Sequence, residues 1–521
     1  MASDGFTPFL LSPLDHVFPP VLYATTVLYF RPERTSLNKS VEKLQRGLDR
    51  LIKIVPFLSG VVASATHPYK TNVLEVRPDT SSPSLALTCA SLVQVKDYLE
   101  YGLPGQVLAD DDVSRWASGE EATRRLMPDF ERLTQLTTVP APVFRAQINR
   151  LADGIALCLA VNHMVLDGKG NDMLLALLAQ CCHDPTGASW STSAAAAQVE
   201  TRQYLHTLRG WSDEGPSLGV DAVDATVLPG EGLASDATSI VYNLVFSEER
   251  IQQLKRHCNA RLPGLRQQHD QEGYKAGPGF VSSNDVLTAL LWICASPVVV
   301  TQSPSSTVGV AVNSRGRFNP PLPDEYLGNS VAYANSLLNM SQLRCLKHEP
   351  AAENEGREAI RGQSDTSNFS GEKQRACREG CAVIDDDDTM QLLTLMAYRI
   401  RCSIADVDGP ALAKLVASYY KTPDWSQILL QRCDIIVSSL NDWRVFALDF
   451  GSQLGYVDRV EFLPPSSPVG ECILKPIQKE KAAVREVMVT LQPEQMRRMS
   501  QLSLLQWALI SQSPTTFYRL I

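Results

Sequence analysis

The stretch from Ile155 to His183, IALCLAVNHMVLDGKGNDMLLALLAQCCH, constrains the fold more than any other part of the chain. Residues 155–161 form an unbroken apolar run, which is typical of a strand buried on both faces of a sheet. Gly168 and Gly170 then mark a turn, and the residues after them have the length and spacing of a helix. A buried strand that passes through a turn into a helix favours an architecture that mixes strands and helices.

His163 lies at this junction, and two interpretations of it stay open. An imidazole has an ordinary pKa near 6.5, so it can accept and return a proton at neutral pH, and a loop between rigid elements is a common place for such a base. The alternative is a histidine that merely ends a strand. Asp167 follows four residues later, where it can pair with an arginine and leave His163 free, and we expect Asn171 to cap the helix.

Length and charge limit the classes of protein that fit. A chain of 521 residues exceeds the roughly 250–300 residues of one hydrophobic core, so two domains are expected. The net charge of -9 argues against a general nucleic-acid-binding protein. The N-terminus does not resemble a secretory signal, no apolar run reaches about 18 residues, and 12 cysteines follow no regular spacing. We therefore expect a cytoplasmic protein without a membrane partner, a nucleic-acid partner or a metal site.

The composition of successive segments indicates where the domains begin and end. Residues 183–235 are rich in Ala, Ser, Gly and Asp, which indicates an interdomain connection. We predict an N-terminal domain at 1–215, a crossover linker at 216–237 and a C-terminal domain at 238–521. Residues 344–388 are polar, charged and nonperiodic, which predicts a disordered insertion in the second domain. The fold class is α/β or α+β, with mixed sheets and flanking helices in both domains.

A second unusual stretch lies near the C-terminus. The segment VFALDFG, residues 445–451, is predicted to be a strand, and Asp449 follows its apolar part. The tripeptide DFG also occurs in protein kinases, but nothing upstream resembles a kinase Gly-rich loop or an H-R-D catalytic loop. A kinase is therefore excluded.

These motifs together resemble a known family. HMVLDG at 163–168 matches the HxxxDG motif of the BAHD acyltransferases, and LDFGSQLG at 448–455 resembles their DFGWG motif near the C-terminus. Three further segments are similar to family segments: LSPLDHVFPP (11–20), SSNDVLTALLW (282–292) and RGRFNPPLPDEYLGN (315–329). The resemblance covers nearly the whole chain except the insertion and the last ~20 residues. It is strongest to the fungal, trichothecene 3-O-acetyltransferase-like branch.

The resemblance implies a fold and an activity. It implies two chloramphenicol-acetyltransferase-like domains with a channel at their interface, which acyl-coenzyme A and the acceptor enter from opposite faces. His163 would remove a proton from a hydroxyl or amine of a secondary metabolite as that group attacks the thioester, with O-acyl transfer favoured and acetyl as the first donor to consider. Acyl-CoA is then a co-substrate, no cofactor is bound permanently, and the enzyme is expected to be a monomer.

The resemblance also implies supporting roles. Asp167 would be structural and paired with an arginine, with Arg315 as the first choice and Arg317 as the second, and Gly168 would keep the turn open. Asp449, Phe450 and Gly451 would shape the domain interface and the coenzyme channel without taking part in the chemistry.

The two hydroxyls of Ser438 and Ser439 lie where the family has Thr-Ser, so one of them would support the oxyanion. This chain departs from the family pattern at Leu440, which replaces a tryptophan, and in the residues after DFG.

Two other functions remain open. A condensation-domain-like enzyme would take its acyl group from a carrier-protein thioester, but that family shows HHxxxDG and this chain has Asn162 at the first position. A binding protein that kept the fold and lost catalysis fits the altered DFG segment, although the presence of His163 speaks against it.

Overall fold

The computed structural model describes most of the chain. The described residues are 6–33, 36–79, 92–99, 125–129, 133, 135–184, 186–187, 191–208, 239–271, 277–295, 305–339, 387–431, 433–463, 469–478 and 483–518.

Strands and helices alternate through these ranges. The strands are β1 (Phe9–Leu10), β2 (Tyr23–Phe30), β3 (Val61–Ser64), β4 (Leu74–Arg77), β5 (Val93–Tyr98), β6 (Ala141–Pro142), β7 (Phe144–Leu151), β8 (Ile155–Asn162), β9 (Ser239–Ser247), β10 (Ser305–Asn313), β11 (Val331–Asn339), β12 (Ile435–Ser439), β13 (Arg459–Phe462), β14 (Glu471–Leu474), β15 (Val484–Leu491) and β16 (Leu509–Tyr518). The helices are α1 (Leu37–Ile54), α2 (Gly168–His183), α3 (Thr192–Thr207), α4 (Glu248–Gln271), α5 (Ser283–Ala295), α6 (Asp387–Ala405), α7 (Gly409–Lys421), α8 (Pro493–Met499) and α9 (Ser503–Ala508).

A mixed five-stranded sheet carries the motif with the candidate base. Its strand order is β13-β2-β8-β7-β5, and β8 lies at the centre with antiparallel neighbours on both sides. All eight residues of β8 are buried, as its apolar sequence predicts. Strand β13 lies far downstream in the sequence, yet it pairs with β2 and forms one edge of this sheet. The C-terminal part of the chain therefore completes a sheet built from N-terminal strands.

A second mixed sheet has seven strands in the order β11-β10-β12-β14-β15-β9-β16, with parallel pairs β10·β12 and β12·β14 and antiparallel pairs elsewhere. The predicted mixture of strands and helices around mixed sheets is thus confirmed. A small antiparallel sheet, β1-β4-β3-β6, was not predicted from the sequence. Two of its strands have only two residues, too short for a hydrophobic period to be recognised.

Helices pack closely on both large sheets. Helices α1 and α2 cross at Gly47, where an added Cβ atom would lie 2.2 Å from the Cys182 sulfur, so this crossing requires a glycine. Helix α5 is buried along almost its whole length, and the indole N–H of Trp292 donates to the Ser306 hydroxyl at 2.9 Å. None of the helices in the described ranges combines the length and hydropathy needed to cross a bilayer.

Two local predictions are wrong. The segment 445–451 is not a strand: Val445–Ala447 is a turn of 3-10 helix, and Asp449 makes only an isolated bridge with Tyr456. The chain reverses direction at Gly451, which has a φ of 86°, so the apolar residues before it pack without sheet partners. Asn171 does not cap α2, because the helix begins earlier and Asp167 is its N-cap.

The predicted linker at 216–237 lies outside the described residues. So does the predicted insertion at 344–388, except for Asp387 and Asp388, which are the first two residues of α6. The predicted disorder therefore does not extend to these two residues.

His16 joins the opening segment of the chain to strand β4. Its ring Nδ1 lies 2.8 Å from the Ser12 carbonyl oxygen, and its Nε2 accepts a hydrogen bond of 3.1 Å from the Leu74 N–H. Because Nε2 is an acceptor, the ring must be neutral, with its proton on Nδ1. Desolvation by burial lowers the pKa of His16 from 6.5 to about 4.

We predict that this histidine makes the fold sensitive to acid. Below pH 6.5 the unfolded chain protonates His16, whereas the folded chain does so only near pH 4, so the free energy of unfolding falls as the pH drops through this window. The His16→Gln variant should lose about 1.4 kcal/mol less per pH unit than the unmodified protein there. Urea unfolding followed by tryptophan fluorescence measures both slopes, with His257→Gln as a control for removing a histidine. Parallel curves for His16→Gln and the unmodified protein would contradict the prediction.

Candidate active site

The turn between β8 and α2 is held by hydrogen bonds from its first residue. The Asn162 side chain donates to the Pro20 carbonyl at 2.8 Å and accepts from the Met164 N–H at 3.0 Å, while its own carbonyl accepts from the Val165 N–H. Asn162 thus forms the turn and ties it to the opening segment. In this chain, the position that would be the first histidine of an HHxxxDG motif is structural.

His163 is half-buried at the top of this turn. Its backbone N–H donates to the Leu22 carbonyl at 2.8 Å, and its ring stacks on the Phe18 ring with centroids 3.9 Å apart. Nδ1 is buried, and the described residues offer it no hydrogen-bond partner other than the carbonyl of His163 itself. Desolvation lowers the pKa of His163 below 6.5, although its own backbone carbonyl and the Asp167 carboxylate oppose this effect. The imidazole is therefore neutral at neutral pH and can accept a proton.

Asp167 is fully buried and does not orient the imidazole through a hydrogen bond. Its carboxylate forms a two-pronged ion pair with Arg315, Nη1 to Oδ2 at 3.0 Å and Nη2 to Oδ1 at 2.8 Å. It also accepts the N–H groups of Gly170 (2.8 Å) and Ser330 (2.9 Å). Arg315, the first of the two expected partners, is thus the one in contact, whereas Arg317 donates to the carbonyls of Ile404 and Val407.

The remaining donors of Arg315 are also matched. They bond to the carbonyls of Tyr326 (2.9 Å) and Gly328 (2.6 Å) and to the Asn313 side chain (3.0 Å). Because a buried guanidinium is costly unless its hydrogen-bonding groups are satisfied, this set of bonds fixes the loop after β10 against the start of α2.

Two glycines of the motif have different surroundings. An added Cβ atom on Gly170 would lie 2.0 Å from the Leu327 carbonyl oxygen, so the same loop approaches α2 too closely for any side chain there. The space beside Gly168 is bounded by Leu440, whose Cδ2 would lie 3.3 Å from such an atom. Gly168 therefore lies next to the end of β12, where the two candidate serines lie.

A second buried ion pair lies beside the first. The fully buried Asp15 accepts from Arg202 Nε at 3.0 Å, from the N–H (2.7 Å) and hydroxyl (2.9 Å) of Ser12, and from the backbone N–H (3.1 Å) and side-chain amide (3.0 Å) of Asn329. The same amide nitrogen of Asn329 lies 2.9 Å from the carbonyl oxygens of both His163 and Met164. Asp15 is thus connected through Asn329 to the backbone of the candidate base.

Both arginines lie close to the Tyr326 ring. The guanidinium carbon of Arg202 lies 5.2 Å from the ring centroid, and that of Arg315 lies 5.8 Å from it. Both distances are within the range of a cation–π interaction, so the ring face stabilises two neighbouring cations. Arg202 also donates to the Val165 carbonyl at 3.1 Å, which adds a further bond to the turn.

The DFG segment contacts helices α1 and α2. Asp449 pairs with His183 Nδ1 at 3.2 Å and accepts the Gly451 N–H at 2.8 Å, and the buried Phe450 ring packs edge-on against Phe30 at 4.9 Å. Gly451 has a φ of 86°, a backbone conformation that favours glycine, and the Lys43 ammonium nitrogen lies 2.3 Å from where a Cβ atom would be.

The two candidate serines end β12. Successive side chains of a strand point to opposite faces, so Ser438 and Ser439 cannot both face the same space. The Ser439 hydroxyl oxygen accepts from the Asn284 side chain at 3.2 Å, which leaves its hydrogen available as a donor. Within the described ranges, no group of three or more His, Cys, Asp and Glu side chains could hold a metal ion.

The sequence prediction missed Asp15, Phe18, Arg202 and Asn329 as parts of this site. Asp15 and Phe18 belong to LSPLDHVFPP, and Asn329 ends RGRFNPPLPDEYLGN, so the resemblance contained a signal for these segments without a role for the residues. Arg202 carries no such signal, since it is one charged residue of an ordinary helix.

Comparison with known proteins gives matches over the whole chain. A model described as "Transferase family" matches residues 111–360, and one described as "Trichothecene 3-O-acetyltransferase-like N-terminal domain" matches residues 22–182. The O-acetyltransferase cpsE of Aspergillus campestris is 32% identical, covering 99% of this chain and 98% of its own length. The fumigaclavine B O-acetyltransferase easN of Aspergillus fumigatus is 29% identical, covering 98% of this chain and 99% of its own length.

The fold has a solved relative. The F. graminearum TRI101 crystal structure, a complex with coenzyme A and deoxynivalenol, superimposes with a TM-score of 0.64 at 18% identity and covers 97% of this chain and 99% of the other. At this identity the match establishes a shared fold.

We predict that Asp167→Asn strongly destabilises the fold. The change leaves the Arg315 charge buried without its counter-ion, which should lower the free energy of unfolding by about 3–5 kcal/mol. The matched control is Asp458→Asn, because Asp458 pairs with Arg31 at 3.5 Å near the surface, and that variant should change stability by less than about 1 kcal/mol. Urea unfolding measures both. Equal stability of Asp167→Asn and the unmodified protein would show that the buried pair does not support the fold.

Proposed function

Because this chain belongs to the BAHD acyltransferases, in the branch similar to trichothecene 3-O-acetyltransferase, we propose that it transfers an acetyl group from acetyl-CoA to a hydroxyl group of a secondary metabolite, with His163 as the general base. The O-acetyltransferase names of cpsE and easN favour oxygen over nitrogen as the acceptor atom. The observation that carries the proposal is the neutral, half-buried imidazole of His163 in a turn fixed by the Asp167–Arg315 ion pair.

The proposed reaction begins with proton removal. The buried ring nitrogen is Nδ1, so the part-exposed imidazole presents Nε2 to the acceptor. Nε2 takes the hydroxyl proton as the acceptor oxygen bonds to the thioester carbonyl carbon, and a tetrahedral oxyanion forms. The carbon–sulfur bond then breaks, the carbonyl is restored, and the leaving CoA sulfur takes the proton from the imidazolium. No covalent enzyme intermediate is needed, because a positioned base and two substrates held together lower the barrier of a direct transfer.

Asp167 and Arg315 act in this proposal as structural residues. Their charges are matched to each other and to backbone groups, so neither is available to exchange a proton with a substrate. Gly168, Asp449 and Gly451 are likewise proposed to shape the site. Gly168 leaves space beside Leu440, and the DFG segment holds helices α1 and α2 together.

One serine hydroxyl at the end of β12 is proposed to donate to the oxyanion. Removing one such donor in other enzymes lowers kcat by about 10²–10³-fold. Because Ser438 and Ser439 face opposite sides of the strand, only one of the variants Ser438→Ala and Ser439→Ala should show a loss of this size. Steady-state kinetics on both variants measure it. If both remain as active as the unmodified enzyme, neither serine has this role.

We further propose the domain limits 1–215 and 238–521 with a linker between them, and a cytoplasmic monomer. These proposals are supported by composition and by the resemblance to the family. The pairing of β13 with β2 adds that the second domain contributes one strand to the sheet of the first.

The decisive experiment is removal of the imidazole. We predict that His163→Ala lowers kcat by at least about 10²-fold, since a general base contributes about 10²–10⁴-fold. Thiol release from acetyl-CoA, measured with a panel of hydroxylated secondary metabolites, reports the rate, and mass spectrometry detects the acetylated product. His257→Ala, a change in helix α4, should keep full activity. Equal rates for His163→Ala and the unmodified enzyme would refute the proposed base.

A further inference from the structure

Ring packing contributes to the orientation of the His163 imidazole. Catalytic histidines are commonly oriented by a hydrogen bond from the ring nitrogen that does not react. Nδ1 of His163 is buried, its one counterpart in the described part of the chain is the backbone carbonyl of His163 itself, and Asp167 is engaged with Arg315 and backbone N–H groups. The torsion of an imidazole about its Cβ–Cγ bond has broad minima, so packing against a neighbouring ring adds to the selection of the ring orientation.

We infer that Phe18 is the positioning residue for the general base: its ring, stacked on the imidazole, holds Nε2 in the direction of the acceptor. This inference rests on the proposed role of His163. The two rings lie 3.9 Å apart between centroids with an angle of 29° between their planes, so they share most of a face. A rotation of the imidazole out of this plane would lose that contact and collide with the buried Phe18 ring.

Phe18 is itself held in place by the Asp15 network. It follows the 3-10 helix Asp15–Val17, and the Asp15 carboxylate accepts hydrogen bonds from Ser12, Arg202 and Asn329. Because Asn329 also donates to the His163 carbonyl, one buried carboxylate fixes both the backbone of the base and the residue on which its ring stacks. The two rings are therefore fixed relative to each other, although they are far apart in the sequence.

The variants Phe18→Leu and Phe18→Met test the inference, because both keep an apolar side chain and remove the flat ring. Each should lower kcat by about tenfold or more while KM stays within about twofold, since a misdirected base slows the proton transfer and leaves substrate binding intact. Phe18→Tyr keeps the flat ring and should retain most of the kcat. If Phe18 only filled space in the core, Phe18→Leu and Phe18→Met would keep a kcat close to that of Phe18→Tyr.

The matched control is Phe57→Leu. Phe57 is buried in the same core as Phe18, packs edge-on against Phe9 at 5.8 Å and makes no ring contact with His163. Its loss should lower the unfolding midpoint to a similar extent as Phe18→Leu and leave kcat unchanged.

Each outcome separates the inference from the function on which it rests. If His163→Ala is inactive but Phe18→Leu and Phe18→Met turn over as fast as Phe57→Leu, the base stands and the positioning role of Phe18 is refuted. Loss of kcat in Phe18→Tyr as large as in Phe18→Leu also refutes it, because the ring is then not what matters. Full activity of His163→Ala would refute the proposed base itself.

Discussion

The buried ion pair between Asp167 and Arg315 is the interaction on which the rest of this site depends. Two charges removed from water are tolerated only when each is fully matched. Here the carboxylate and the guanidinium satisfy each other in two-pronged geometry, while backbone groups and the Asn313 side chain take the remaining positions. The pair joins the first turn of α2 to the loop after β10, which are distant in sequence. Only one relative placement of these segments satisfies both charges, so the pair determines where the turn at His163 lies.

A second pair, Asp15 with Arg202, repeats the same principle next to the same Tyr326 ring. It attaches the opening segment of the chain to helix α3, and through Asn329 to the His163 carbonyl. The charged side chains around the turn thus form ion pairs with one another. The residue proposed to act on the substrate is the neutral one, His163, whose pKa burial lowers.

Several sequence predictions show which features depend on local residues and which depend on contacts between distant segments. Strand β8 was predictable because a short continuous apolar run that ends at a turn suits a strand buried on both faces of a sheet. The structure of segment 445–451 was not predictable in this way. Its apolar residues suit a strand, but the turn at Gly451 and the contact of Asp449 with α2 prevent pairing with a neighbouring strand. The helix cap was misplaced for a related reason. Asp167 both caps α2 and pairs with Arg315. This double role depends on where the loop after β10 lies, which the sequence does not show.

The sequence alone determined the strand, the turn and the helix that present His163, because these depend on periodicity and turn residues within some 30 positions. The resemblance to the family added two arginines as the expected partners of Asp167. Tertiary structure decided between Arg315 and Arg317, and it brought Phe18, Arg202 and Asn329 to the base. The physical reason is that matching of buried charges and stacking of rings depend on which distant segments exclude water together, a property that no local pattern of residues contains.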